Sequence, residues 1–240
     1  MVHKTKIILM KKLINYFKKN YPRGLSFYYK IRFIFRAFYI KEPRAHLFWK
    51  LRRGDEKFHK NYDLTEESIF FDVGGFEGEF TEKILKKFNC KSYVFEPHPV
   101  YYKKLTSKFH NNQNVNIYNY GLGGSTENIY LTDETASSKT TTEETKYKVL
   151  IKDITEVINA FGINKVDLLK LNIEGSEYDL LDKLISSGKI EFIDKLQIQF
   201  HDNVDEAESR REIIRNNLQR THKEVWSYYF VWERWDKKII

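Results

Sequence analysis

Residues 69–81, IFFDVGGFEGEFT, end an apolar run on Asp72 and then set Gly74, Gly75 and Gly78 among the acids Glu77 and Glu79. Glycines in a turn after a strand allow positive φ and let a ligand approach the backbone closely. The dinucleotide fingerprint G-x-G-x-x-G is not met, because Phe76 and Glu79 stand where glycines are required. Carboxylates beside a pyrophosphate would repel it. They suit a cofactor with cationic and hydroxylated parts, and S-adenosylmethionine carries a sulfonium and an ammonium at one end and ribose hydroxyls in the middle. The pattern D-x-G-x-x-x-G has the form of a loop for that cofactor; a tight turn without a ligand is the other reading. In KSYVFEPHP, Glu96 stands at the end of the next apolar run, 24 residues after Asp72. An acid at about that spacing is placed to hold two ribose hydroxyls. It also reads as an acid at a helix N-terminus, with Pro97 and Pro99 at the helix start.

These residues need strands to carry them. From about Ser68, short apolar runs at 68–73, 91–96, 114–120, 166–173 and 194–201 alternate with amphipathic stretches at 78–89, 98–110, 153–162 and 176–188. Alternation of this kind predicts a doubly wound α/β domain with a mainly parallel sheet. Gly162 and Gly188 stand where C-terminal cap glycines belong. The Ser/Thr-rich stretch 123–152 reads as a hairpin-like insertion with strand pieces at 127–131 and 147–151 and a mobile tip. The end of the chain, from REII to ERW, reads as one helix followed by one long aromatic strand, antiparallel in the sheet. A basic, aromatic N-terminal helical cap is expected over 1–65, and the main domain over 66–240.

The 240 residues, 41% of them apolar, suit one large domain or one domain with an appendage. A single cysteine, Cys90, excludes an internal disulfide and a Cys-rich zinc site. No secretory signal or membrane-spanning run is visible, and a cytoplasmic location is expected, with peripheral contact at an inner membrane surface as an option. Charge is uneven: residues 1–60 hold 17 Lys and Arg against 3 Asp and Glu, a net +14, and the remainder holds 24 against 30, a net −6.

FFDVGGFEGEFT, YVFEPHP, GLGG, VDLLKLNIEGSEYDLL, LQIQFH and FVWERW, in this order and spacing, resemble the FkbM-type S-adenosylmethionine-dependent methyltransferases over about residues 68–235. The resemblance implies a class I methyltransferase-like fold and, commonly, O-methylation of sugars in glycans and natural products. It implies that Asp72, Gly74, Gly78 and Glu96 bind the cofactor, and Gly75, Phe76, Glu79 and Pro97 are counted with that pocket. The IEG at 173–175 then borders the active site. Many members carry Asp-x-Glu-Gly where this chain has Asn172; the amide accepts and donates hydrogen bonds, and its presence argues against a metal at that position. Asn172 is placed at both the cofactor and the reacting centre. The Asn form beside IQFH points to surface-polysaccharide chemistry.

A sugar hydroxyl needs a base to take its proton. His201 ends the run LQIQF before the turn residues Asp202 and Asn203, and its ordinary pKa lies near neutrality. It is the first candidate, with a rate expected to rise through pH about 6–7 and with Asp202 as its orienting acid; a hydrogen-bonded structural histidine is the alternative. Glu174 is the second candidate. His98 is placed near the adenine or on the surface, and Leu122 either covers the adenine or belongs to the core. No metal is expected. The acceptor is expected to be a sugar or glycan, with a phosphate-bearing one suited to the basic segment. RNA is disfavoured because no RNA-binding module is recognisable. A non-catalytic scaffold of the same fold, an RNA methyltransferase using the basic segment and, more remotely, a nicotinamide-dependent oxidoreductase are the alternatives.

Overall fold

The computed structural model describes residues 40–57, 61–131 and 147–239. The chain divides into two compact units, with the boundary between Leu51 and Arg52. In the first unit the described part is helix α1 (Lys41–Leu51), with Glu42 in its first turn and Lys50 in its last, each matched to the helix dipole. Most of the basic N-terminal segment, and the tip of the 123–152 insertion, lie outside the described residues.

The second unit begins with a single turn, α2 (Gly54–Lys57), and then alternates: β1 (Ile69–Val73), α3 (Glu79–Phe88), β2 (Lys91–Phe95), α4 (Pro99–Phe109), β3 (Val115–Tyr118). After a small insertion come α5 (Ile154–Ala160), β7 (Leu168–Leu171), α6 (Glu177–Ser186), β8 (Lys195–Ile198), α7 (Ala207–Leu218), β9 (His222–Tyr228) and β10 (Trp232–Lys237). The insertion holds β4 (Gly121–Gly123), β5 (Glu127–Leu131) and β6 (Tyr147–Asp153). The main sheet runs β3-β2-β1-β7-β8-β10-β9. Its first five strands are parallel, and β10 is antiparallel to both neighbours. This is a class I methyltransferase-like architecture, and the five expected strands and four expected helices are in place. Leu122 lies on β4, a short strand that no alternation announced; it pairs parallel to β6, while β5 and β6 form the expected antiparallel pair.

Parallel strands need cover on both faces, so their sequences read as near-continuous apolar runs. One face of the sheet packs Phe71, Val73, Leu169, Leu171, Leu196 and Ile198 against α5, α6 and α7. The other packs Phe70 and Leu168 against Ile84 of α3 and the segment carrying Tyr62 and Leu64, and Val94 against Leu85, Leu105 and Phe109.

The C-terminal aromatic stretch is two strands, not one. The chain reverses at Tyr229–Phe230–Val231, with Phe230 at φ 51° and the Val231 amide donating to the Tyr228 carbonyl at 2.9 Å. A reversal made by a phenylalanine in the left-handed region leaves no Gly, Asn or Pro signal in the sequence.

The chain winds from β1 outward to β3 and then returns to the other side of β1 through β7. The crevice between β1 and β7 is therefore the topological switch point, where ligands of open α/β sheets bind at the carboxyl ends of the strands.

Candidate active site

Asp72 is wholly buried at the end of β1. Its two oxygens are engaged by the protein: Lys170 Nζ donates to Oδ1 at 2.8 Å and Thr81 Oγ1 to Oδ2 at 2.6 Å. Lys170 is its register neighbour on β7, so the parallel pairing of the strands builds the ion pair. Glu77 faces outward to Lys104 at 2.6 Å, and Glu79 is exposed at the start of α3. The loop acids therefore do not converge on one ligand, contrary to the charge argument made from sequence; folding spends Asp72 and Glu77 on lysines.

The glycines have packing reasons of their own. Gly74 has φ 84°, and a Cβ there would stand 2.1 Å from the Asn172 carbonyl oxygen. Gly75 is filled in by Val94, and Gly78 (φ 75°) by Leu105 and Phe109. Phe76 is also left-handed, at φ 47°, and more than a third exposed, with its ring 4.3 Å from that of Tyr101.

Glu96, almost fully buried, sits just past the end of β2. Oε2 accepts from the Phe76 amide at 2.8 Å and Oε1 from the His98 amide at 2.9 Å. Burial raises its pKa against the opposing effect of these two amides. The helix-start reading is met, since Glu96 joins the glycine turn to the start of α4; each oxygen keeps a second lone pair. His98 is not on the surface. It is buried as the N-cap of α4, its Nδ1 accepting from the Val100 amide, with its ring against those of Tyr101 and Tyr147. Pro97 is half-buried against Gly121, and Leu122 is buried in the main core.

At the end of β7, Asn172 has a buried Oδ1 with no hydrogen-bond partner among the described residues. A buried amide oxygen without a donor is costly unless a ligand or water supplies one. Glu174 (φ 55°) and Gly175 (φ 111°) turn the chain sharply into α6. There Glu177, which the sequence reading passed over, is fully buried at the first helical position. Its Oε2 accepts from the Gly175 amide at 2.8 Å; its Oε1 accepts from the His201 amide at 2.7 Å and lies 3.1 Å from His201 Nδ1. On the other side of the ring, Glu174 Oε1 stands 3.6 Å from Nε2, an ion pair and not a hydrogen bond. Tyr178 donates its hydroxyl to the His201 carbonyl at 2.7 Å.

His201 and Glu174 therefore do come together, and the orienting acid is Glu177, not Asp202, which is exposed. Burial pushes the imidazole pKa down, but the two carboxylates outweigh it and raise His201 to about 9. The near-neutral value expected from the residue type is corrected: a histidine between two acids holds its proton at pH 7. Lys170, Thr81 and Glu177 were the residues missed. A lysine inside the buried strand LLKL was the one available sign, since such a charge must have a partner.

Among the described residues no group of three His, Cys, Asp or Glu is arranged to hold a metal ion. A shallow cleft lined by Asn89, Lys108, Phe109 and Asn111–Asn114 opens among the loops that lead into β2 and β3, at the opposite end of the sheet, and has no part in this site.

The Methyltransferase FkbM domain model matches residues 70–234. Among solved structures, the chain is similar to a provisionally assigned rRNA methylase from Clostridium thermocellum, with a TM-score of 0.51 at 10% identity, covering 78% of this chain and 94% of that one. It is also similar to a provisionally assigned methyltransferase from Streptococcus mutans solved with S-adenosylhomocysteine, with a TM-score of 0.49 at 13% identity, covering 78% and 97%. No curated protein matches the chain. At such identity the Clostridium thermocellum structure speaks for the fold alone.

Proposed function

On the premise that the chain belongs to the FkbM methyltransferase family and is an S-adenosylmethionine-dependent methyltransferase, we propose that it O-methylates a sugar hydroxyl of a glycan or nucleotide-linked sugar. The observation that carries this is the Glu177–His201–Glu174 cluster at the β7 and β8 ends. A hydroxyl, unlike a more nucleophilic acceptor, needs a positioned base.

The cofactor, when bound, supplies a methyl group on a sulfonium. The residues present fit it. The unpartnered Asn172 Oδ1 is an acceptor for the ammonium, Glu96 keeps lone pairs for ribose hydroxyls, and the turn Gly74–Gly78 with Phe76 forms the wall. Gly75, Glu79 and Pro97 are kept with this region as sequence neighbours of these residues, and Leu122 lies in the core. Asp72 acts indirectly, through the lysine and threonine that hold it.

Glu177 fixes the His201 ring through Nδ1, which leaves Nε2 for the acceptor. In its neutral form, which grows as pH rises toward 9, the His201 imidazole would take the acceptor hydroxyl's proton at Nε2. Glu174 holds the resulting imidazolium by its charge. Glu174 is also the competing proton acceptor.

The basic N-terminal segment serves the acceptor in this reading, since its net +14 contrasts with the acidic remainder. The same charge favours a second reading, methylation of RNA, because lysines and arginines interleaved with aromatic residues can hold single strands. Labelled S-adenosylmethionine incubated with the protein and separate glycan and RNA fractions decides between them. Label in the glycan fraction supports the sugar reading, and label confined to RNA overturns it.

A further inference from the structure

Lys170 lies on a central strand and is 4% exposed. One bond of its ammonium goes to Asp72, and a second goes to the Gly74 carbonyl at 2.7 Å. Gly74 is thereby held at both ends, because its amide donates to the Phe95 carbonyl at 3.0 Å; the Gly75 amide reaches the same carbonyl at 3.3 Å. A third side is closed by the Asn172 carbonyl, which fills the space a Cβ on Gly74 would need. The first residue of the turn is thus seated among the ends of β1, β2 and β7, and the lysine is the only side chain that reaches its carbonyl among the described hydrogen bonds. Two residues further along the chain, just past the end of β7, stands Asn172, with its unpartnered amide oxygen.

A buried ion pair by itself is weak evidence for stability, since apolar residues of similar volume often serve as well. The buried ammonium must satisfy three N–H donors, and it meets one of them on a loop carbonyl. It does what a positioning group must do, holding a ligand-contacting backbone in one geometry before the ligand arrives. We infer that Lys170 is a positioning residue for the cofactor, seating the Gly74–Gly78 turn through the Gly74 carbonyl while Asp72 holds the ammonium in place. This rests on the reading that the turn receives the cofactor.

The test is calorimetric affinity for S-adenosylhomocysteine, measured well below the melting temperature of each variant. Lys170→Met alone would strand the Asp72 charge in the core, so the decisive variant is Asp72→Asn/Lys170→Met, which leaves no buried charge. Asp72→Asn alone keeps the ammonium and its bond to Gly74 but removes the counter-charge, so its melting temperature is measured with its affinity, and Lys170→Arg keeps both charge and donors. The double variant is expected to bind about tenfold or more weakly than Asp72→Asn, with Lys170→Arg closer to the unaltered protein. A folded double variant that binds as tightly as Asp72→Asn overturns the inference, whatever its melting temperature. Glu96→Ala in the same assay separates the two readings. If Glu96→Ala loses affinity and the double variant does not, only the role of Lys170 falls; if both bind normally, the placement of the cofactor falls with it.

Discussion

At the residue scale, the environment of each acid decides its task. Glu96 already accepts two backbone amides at the end of β2, so its geometry is fixed before a ligand is bound. Glu96→Ala is expected to weaken S-adenosylmethionine binding by about 1.5–3 kcal/mol, the range for a hydrogen bond to a charged group, while the protein stays folded; unchanged affinity in calorimetry would remove it from the ribose site. His201 makes a different forecast. With its pKa at about 9, a base at this position gives a kcat that climbs through neutral pH, is half-maximal near 9 and levels above it. Glu174→Gln removes one of the two charges that hold the proton, so the plateau should begin at lower pH. His201→Asn should cost about 10²–10⁴ in turnover with little change in cofactor affinity. A profile flat from pH 6 upward would move the proton to Glu174. Stability carries the same signature. The folded pKa lies above the unfolded value of about 6.5, so the contribution of His201 is full below about 6.5 and is lost as pH rises through about 9. The melting-temperature difference between the unaltered protein and His201→Asn should therefore shrink over that window.

At the scale of elements, the C-terminal hairpin is tied to α7 by a buried ion network. Glu233 on β10 accepts from Arg211 and, at 2.6 Å, from Arg215, and its Oε2 also takes the Trp235 indole proton at 2.9 Å. Glu233 and Arg211 are almost wholly buried, so removing the acid leaves positive charge without compensation. Glu233→Ala is expected to destabilise the domain by about 3–5 kcal/mol, read as the urea midpoint. A loss under about 1 kcal/mol would mean that the network is solvated. Because β10 pairs with β8, the strand that leads to His201, this network braces the element that carries the histidine.

At the scale of the whole molecule, charge is divided between a basic N-terminal quarter and an acidic remainder. If the basic part meets the acceptor, raising salt should raise the KM for an anionic acceptor more than that for the cofactor, because exposed charges are screened and buried ones are not. Equal salt sensitivity of the two KM values would separate that segment from substrate binding.

The order of the five parallel strands and the helices between them, the turn at the switch point and the placing of Glu96, Asn172, Glu174 and His201 at strand ends were legible in the sequence, because hydrophobic periodicity and glycine spacing are local properties; β4 and the division of the C-terminal stretch into β9 and β10 were not. The family followed from motifs in order. What the chain could not reveal by itself was which charge meets which. Asp72 is taken by Lys170, 98 residues away, through strand register, and His201 by Glu177 across the loop joining β7 to α6. Electrostatics falls off with distance in space, and only the pairing of β1 with β7 and of β7 with β8 set those distances. The pairing of β1 with β7 set Asp72 against a lysine, the packing of α4 did the same for Glu77, and the neighbouring strand ends turned a histidine of ordinary pKa into one that holds its proton until about pH 9.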